Sequence, residues 1–152
     1  MSQDTSEVVA ELLAKQSITE ALHRYCVAVD LIDEHTWWQV WHHDATANYE
    51  EMFEGTASDL MTWIFEAHRG CERTSHQLAN VLITIEGTSA TSESYLTACV
   101  RANGSDVVVR GRYFDSWASK DGGSTWRIEE RRYRGDLLHT VPVVSAEPRV
   151  PG

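Results

Sequence analysis

Between Ser17 and Asp33 the apolar residues Ile18, Leu22, Tyr25, Cys26 and Val29 recur at helical spacing and form one stripe that faces a core. Upstream, Thr5 or Ser6 is placed to cap a first helix whose apolar face is Val8, Val9, Leu12 and Leu13, with a bend expected near Ser17. Asp33 stands where it would cap a second helix, DEHTWWQVWHH, on which Trp37, Val40 and Trp41 share a face. Ala45–Tyr49 reads as a short strand. After the break at Gly55, Ser58 would cap a third helix with Leu60, Ile64 and Ala67 inward. Past Arg73 the period changes from helical to alternating. Strands are predicted over Thr74–Ile85, Thr91–Arg101, Val107–Trp117 and Thr125–Tyr133, separated by turns at Glu86-Gly87, Asn103-Gly104 and Asp121-Gly122-Gly123. Helices followed by an antiparallel meander predict an α+β fold. All three prolines fall in a tail after His139 that is expected to be loosely held.

Asp33 is explained as a cap, whereas Asp30, one residue past the end of the apolar stripe, has no local task. Across the chain, His76 opens the first long strand on the same face as Leu78 and Asn80. Taken singly, an aspartate at a helix end and a histidine at a strand end are ordinary residues. Together they suit a pair in which the carboxylate holds one imidazole nitrogen and the other serves as a general base. Tyr25 and Tyr49 are either core aromatics or hydroxyl donors aimed at a developing oxyanion. Arg131 and Arg132 are adjacent, so one faces in. Shared parity with Trp126 and Ile128 favours Arg132, unless a bulge intervenes. Arg112 is equally ambiguous. Trp38, Trp41, Trp63 and Phe65 are candidate pocket walls.

Composition narrows the classes. With 152 residues, 42% of them hydrophobic, the chain suffices for one domain with a real core. The net charge of −10 argues against nucleic acid or an anionic membrane surface as partner. No apolar run reaches the length of a membrane span, and Cys26, Cys71 and Cys99 match no zinc or redox spacing, which suggests reduced thiols in a cytoplasmic protein. His42-His43 and His68 have poor ligand spacing, Cys71 lies near no nucleophile–base motif, and no glycine-rich phosphate loop occurs.

The segments ITEALHRYCVAVDLID, WHHDATANY followed by a glycine, SHQLANVLITIEGTSATSESY, GRYFDSW and WRIEERRYRGD, in that order, resemble the SnoaL-like members of the nuclear transport factor 2-like superfamily, and among these the scytalone dehydratase-type branch. The resemblance runs from about Ile18 to Asp136. It implies a cone-shaped α+β barrel, with N-terminal helices packed on a strongly curved, mostly antiparallel sheet, as one domain over residues 1–136 with a tail over 137–152. It further implies an aspartate–histidine pair, here Asp30 and His76, acting on a small molecule without metal or organic cofactor. By the same likeness Tyr25 joins the catalytic set, Tyr49 holds substrate, and a late-strand arginine corresponds to Arg131 or Arg132; Arg132 and Trp41 are taken as substrate contacts. The resemblance points to a lyase on a small hydroxylated aromatic or polycyclic compound, in a homodimer or homotrimer. Related proteins of this fold leave open a C–C lyase releasing formaldehyde, an isomerase and a non-catalytic subunit.

Overall fold

The computed structural model describes residues 3–143. Among these residues three helices, α1 (Gln3–Leu31), α2 (Glu34–Val40) and α3 (Ala57–Arg69), pack on six strands, β1 (Trp41–Asn48), β2 (Glu54–Thr56), β3 (Arg73–Glu86), β4 (Ser89–Ala102), β5 (Ser105–Ala118) and β6 (Arg127–Pro142). The strands form one sheet in the order β2-β1-β6-β5-β4-β3. Among the described residues only the β1–β6 pair is parallel, so the sheet is mostly antiparallel, and it stays open, with β2 and β3 at its edges. The order of helices before meander is thus the expected α+β arrangement. No helix among the described residues is long and apolar enough to cross a membrane.

The stripe Ile18, Leu22, Tyr25, Cys26 and Val29 is buried, as its spacing predicts. Its upstream extension is not. Val8, Val9, Leu12 and Leu13 are all exposed, because α1 runs as one helix from Gln3, without a break at Ser17, and its first turns extend past the body. Asp33 caps α2 by accepting from the Thr36 backbone N–H at 3.2 Å. α2 is shorter than expected. It ends at Val40, and Trp41–His43 open β1 instead. The cap of α3 is Thr56 rather than Ser58, in a reciprocal capping box with Asp59. Phe65 replaces Ala67 on its buried face.

Two irregularities decide which side chains reach the covered face of the sheet. In β3, Asn80 adopts a left-handed conformation (φ 50°) and the β3–β4 register shifts between Ala79 and Leu82. Parity flips there, so His76 and Leu78 before the bulge share the half-buried face with Val81, Ile83 and Ile85 after it, and Asn80 does not. In β6, Ile128 pairs with Trp117 and Glu130 with Ser116, which leaves Glu129 as the extra residue. Arg131 is therefore fully buried and Arg132 exposed, the reverse of the parity expectation.

β6 also runs further than expected. Leu137–Pro142 pair with Arg110–Ser105 of β5, so the boundary drawn at Asp136 falls inside a strand; residues 144–152 lie outside the described residues. Close approach at this pairing needs glycine: a Cβ on Gly111 would stand 2.5 Å from the Arg134 carbonyl oxygen and 2.6 Å from the Tyr133 ring.

Candidate active site

Helices α1 and α3 and the covered face of the sheet enclose a cavity of about 480 Å³. Its wall is chiefly apolar, from Val29, Ile64, Leu96, Val109 and Leu138, with Trp63 and Met52 near the Tyr49–Phe53 turn. Into it point His76, His68 and the phenols of Tyr25, Tyr49, Tyr113 and Tyr133.

Asp30 is delivered by the last turn of α1, which lies across β3. The His76 Nδ1–H donates to Asp30 Oδ1 at 2.7 Å, the His76 backbone N–H to Oδ2 at 2.9 Å, and the Thr74 hydroxyl to Oδ1 at 2.9 Å. Three donors on one carboxylate fix both the carboxylate and the ring. They also fix the tautomer: Nδ1 carries the proton, and Nε2 is left with its lone pair. Burial pushes the Asp30 carboxyl up, but the hydrogen bonds from His76 and Thr74 outweigh it and hold the group below its ordinary value. A carboxyl with a lowered folded-state value stabilises the fold above its unfolded value of 3.8, and that stabilisation is lost as pH falls through the lower folded value. Stability measured by denaturant between neutral pH and the acid limb should therefore decline less steeply for Asp30→Asn than for the wild type below about pH 4.

His68, on α3, lies beside His76 with ring centroids 5.2 Å apart and the rings tilted by 37°. Its Nδ1–H donates to the Ile64 carbonyl at 2.7 Å, and its buried Nε2 has no hydrogen-bond partner among the described residues. Burial lowers its basicity, and the hydrogen bond to the Ile64 carbonyl only partly offsets this.

The phenols converge opposite. Tyr25 Oη lies 3.1 Å from Tyr49 Oη and 3.4 Å from Tyr113 Oη. Three hydroxyl protons serve two contacts, so one proton remains for a ligand oxygen. Burial, reinforced by the neighbouring phenols, holds Tyr49 and Tyr113 well above the ordinary phenol range and keeps them as donors.

Behind the phenols lies Arg131, its Cζ 4.2 Å from the Tyr25 ring centroid and 3.9 Å from that of Tyr113. It forms a two-pronged ion pair with Asp115, directly opposite in the β5–β6 register, at 2.7 and 2.8 Å. Burial pushes the Asp115 carboxyl up and the guanidinium pulls it back. The pair is ionised, because a guanidinium does not deprotonate in proteins and a buried cation needs its counter-charge.

Of the residues singled out by sequence, His76, Tyr25 and Tyr49 therefore line one cavity, with Asp30 held against His76. Arg132 and Trp41 do not. Arg132 is turned out by the Glu129 bulge. Trp41 is fully buried, stacked on Trp37 at 5.2 Å and covered by Arg131, and takes no part in the cavity wall. Trp63 lines the cavity, whereas Phe65 packs on Trp37 and Trp38 on His43. Arg112 faces the other side of the sheet, held by Glu93 and Asp136. Sequence reasoning missed Tyr113, Tyr133 and Asp115, and took His68 only as a poor metal ligand. The available signal was the alternation of Tyr113, Asp115 and Trp117 along one face of β5. Among the described residues no three His, Cys, Asp or Glu side chains converge as a metal site would require.

An α+β fold whose helices and open, mostly antiparallel sheet enclose an apolar cavity with a histidine–carboxylate contact defines a class, and the chain belongs to the SnoaL-like domain family, whose pattern matches residues 10–132. Among solved structures it is similar to a candidate scytalone dehydratase from Novosphingobium aromaticivorans (TM-score 0.79, 21% identity, covering 95% of this chain and 99% of that one). It is also similar to the hexachlorocyclohexane dehydrochlorinase LinA-type3 from Novosphingobium barchaimii (TM-score 0.78, 14% identity, 92% and 98% covered). A third likeness is to a candidate aromatic ring hydroxylase from N. aromaticivorans (TM-score 0.73, 19% identity, 83% and 92% covered). At such identities the likeness is one of fold, and these names span different chemistries. No curated protein matches the chain in sequence.

Proposed function

We propose that the protein is a cofactor-independent lyase that eliminates a small group, water in the first instance, from an uncharged hydroxylated aromatic or polycyclic compound. The observation that carries this reading is the 2.7 Å contact of His76 with Asp30 in the wall of an apolar cavity. His76 Nε2 takes a proton from a substrate carbon. The C–H electron pair forms the new double bond, and the leaving group departs from the adjacent carbon with its bonding electrons. The imidazolium, stabilised by Asp30, then gives its proton to the departing hydroxide, so that water leaves and the histidine returns to its starting state. Where the substrate carbon is acidified by a carbonyl, negative charge collects on that oxygen, and the hydroxyls of Tyr25, Tyr49 and Tyr113 supply the donor that meets it. Elimination is favoured over isomerisation because two structural relatives bear the names of eliminating enzymes, a dehydratase and a dehydrochlorinase.

The test is mass spectrometry on a panel of hydroxylated aromatic and alicyclic compounds incubated with the purified protein. A product lighter than its substrate by one water is expected. A product of unchanged mass would assign an isomerase instead, and released formaldehyde a C–C lyase.

A further inference from the structure

The cavity wall includes no lysine or arginine among its described residues. Arg131 lies behind the phenols and is neutralised by Asp115, and Arg112 is committed to Glu93 and Asp136. The rim instead carries a carboxylate, Glu50, that forms no ion pair among the described residues. Its position is set by the chain. Glu50 sits in a left-handed conformation (φ 53°) in a tight turn: Asn48 Oδ1 accepts its N–H at 3.0 Å, and the Tyr49 N–H donates to the Phe53 carbonyl at 2.7 Å. From there Glu50 Oε2 accepts the Gly135 N–H at 3.2 Å.

Gly135 brings two polar groups together. A Cβ there would stand 3.5 Å from Glu50 Oε2 and 3.3 Å from Tyr133 Oη. Tyr133 is only 7% exposed, stacks on Tyr49 and lines the cavity, yet its hydroxyl has no hydrogen-bond partner among the described residues. Burial, followed by the charge of Glu50, pushes this phenol up, so it remains a donor. At the inner end, His68 Nε2 is likewise buried and unpartnered. The polar groups awaiting a ligand are thus neutral donors and acceptors, and of the two carboxylates at the entrance Asp136 is paired with Arg112 and Arg134 while Glu50 keeps its charge uncompensated among the described residues.

We infer that Glu50 and Tyr133 form a rim subsite that receives a hydroxyl of an uncharged ligand and turns away carboxylates and phosphates. The inference rests on the reading of this cavity as the substrate site. An anion entering meets repulsion from Glu50 and desolvation against apolar walls, whereas a hydroxyl can donate to Glu50 and accept from Tyr133.

Calorimetric titration with 2-naphthol and 2-naphthoate, which share a ring system and differ in charge at neutral pH, separates these cases. The wild type is expected to bind 2-naphthol more than about tenfold tighter than 2-naphthoate. Glu50→Gln keeps an oxygen for the Gly135 N–H and removes the charge, and should raise naphthoate affinity about fivefold. That gain should shrink towards unity at about 0.5 M salt, which a merely structural role for Glu50 would not produce. Tyr133→Phe should weaken 2-naphthol and leave 2-naphthoate little changed. Equal affinity for the two probes, no saturable binding of 2-naphthol, or an unaltered ratio in Glu50→Gln would overturn the inference. His76→Ala should keep the discrimination while losing turnover, so failure of the lyase reading and failure of the rim subsite give different results.

Discussion

His76→Ala is expected to fold normally and to lose turnover by on the order of 10²–10⁴, the usual contribution of a positioned general base. Normal folding is expected because the ring occupies the cavity wall and not the close-packed interior. Truncation there leaves the Asp30 carboxylate with its backbone and Thr74 donors still in place. Asp30→Asn acts on the same step from the other side. The amide can still receive the Nδ1–H but cannot stabilise the imidazolium, and a loss of similar order is expected. Neither loss should be traceable to stability: thermal midpoints of both variants should lie within a few degrees of the wild type while kcat falls. A folded His76→Ala protein with undiminished turnover would remove the base from the mechanism.

The largest stability effect is expected at Asp115–Arg131. Both side chains are wholly inaccessible, and the guanidinium lies against the Tyr25, Tyr113 and Trp41 rings. Asp115→Ala strands that cation. Breaking a buried pair from one side costs about 3–5 kcal/mol, a large part of the 5–15 kcal/mol that holds a domain of this size. The midpoint should drop by roughly 10 °C or more. Arg131→Ala should be comparably harmful, with the carboxylate stranded instead and the space between two phenols emptied. The double replacement Asp115→Leu/Arg131→Met, which removes both charges and keeps most of the volume, should recover much of the loss. Recovery of stability without recovery of activity would show that the ion pair serves the phenol cluster in addition to the fold. Single variants within about 1 kcal/mol of wild type would contradict the ionised, fully desolvated pair.

How far the sequence carried this account depends on whether the deciding interaction was local. The buried stripe Ile18–Val29 and the cap at Asp33 are local, so Asp30 could be singled out by elimination before any contact was known. The helix-to-strand change near Arg73 is local too, and the turn at Asn103-Gly104, with φ of 52° and 71°, falls where its residues demand. What was illegible came from pairing across the chain. β1 lies parallel to β6, some eighty residues distant, and that pairing draws Trp41 out of the helical pattern and into a strand. The same stretch of β6 holds the Glu129 bulge. One extra residue inverts every inward and outward assignment beyond it, so the arginine chosen by parity was the wrong one of two. Asn80 inverts β3 in the same way, though His76 lies before that bulge and kept its assignment. Tyr113 and Tyr133 went unnoticed because an aromatic on an alternating strand looks alike whether it fills a core or walls a cavity. Leu137 and Leu138, set aside as tail, line that cavity because β6 continues past the Asp136 boundary.

The central claim is that Asp30 and His76 act as one unit in general base catalysis, and a double-mutant cycle on kcat/KM tests it most directly, with Asp30→Asn, His76→Ala and the double variant compared on one substrate at one pH. If the carboxylate works only through the imidazole, its removal costs nothing once the imidazole is gone, and the double variant should be no more than about twofold slower than His76→Ala. Losses that multiply, the double variant slower by the product of the two single effects, would show two groups acting independently and would contradict the pair.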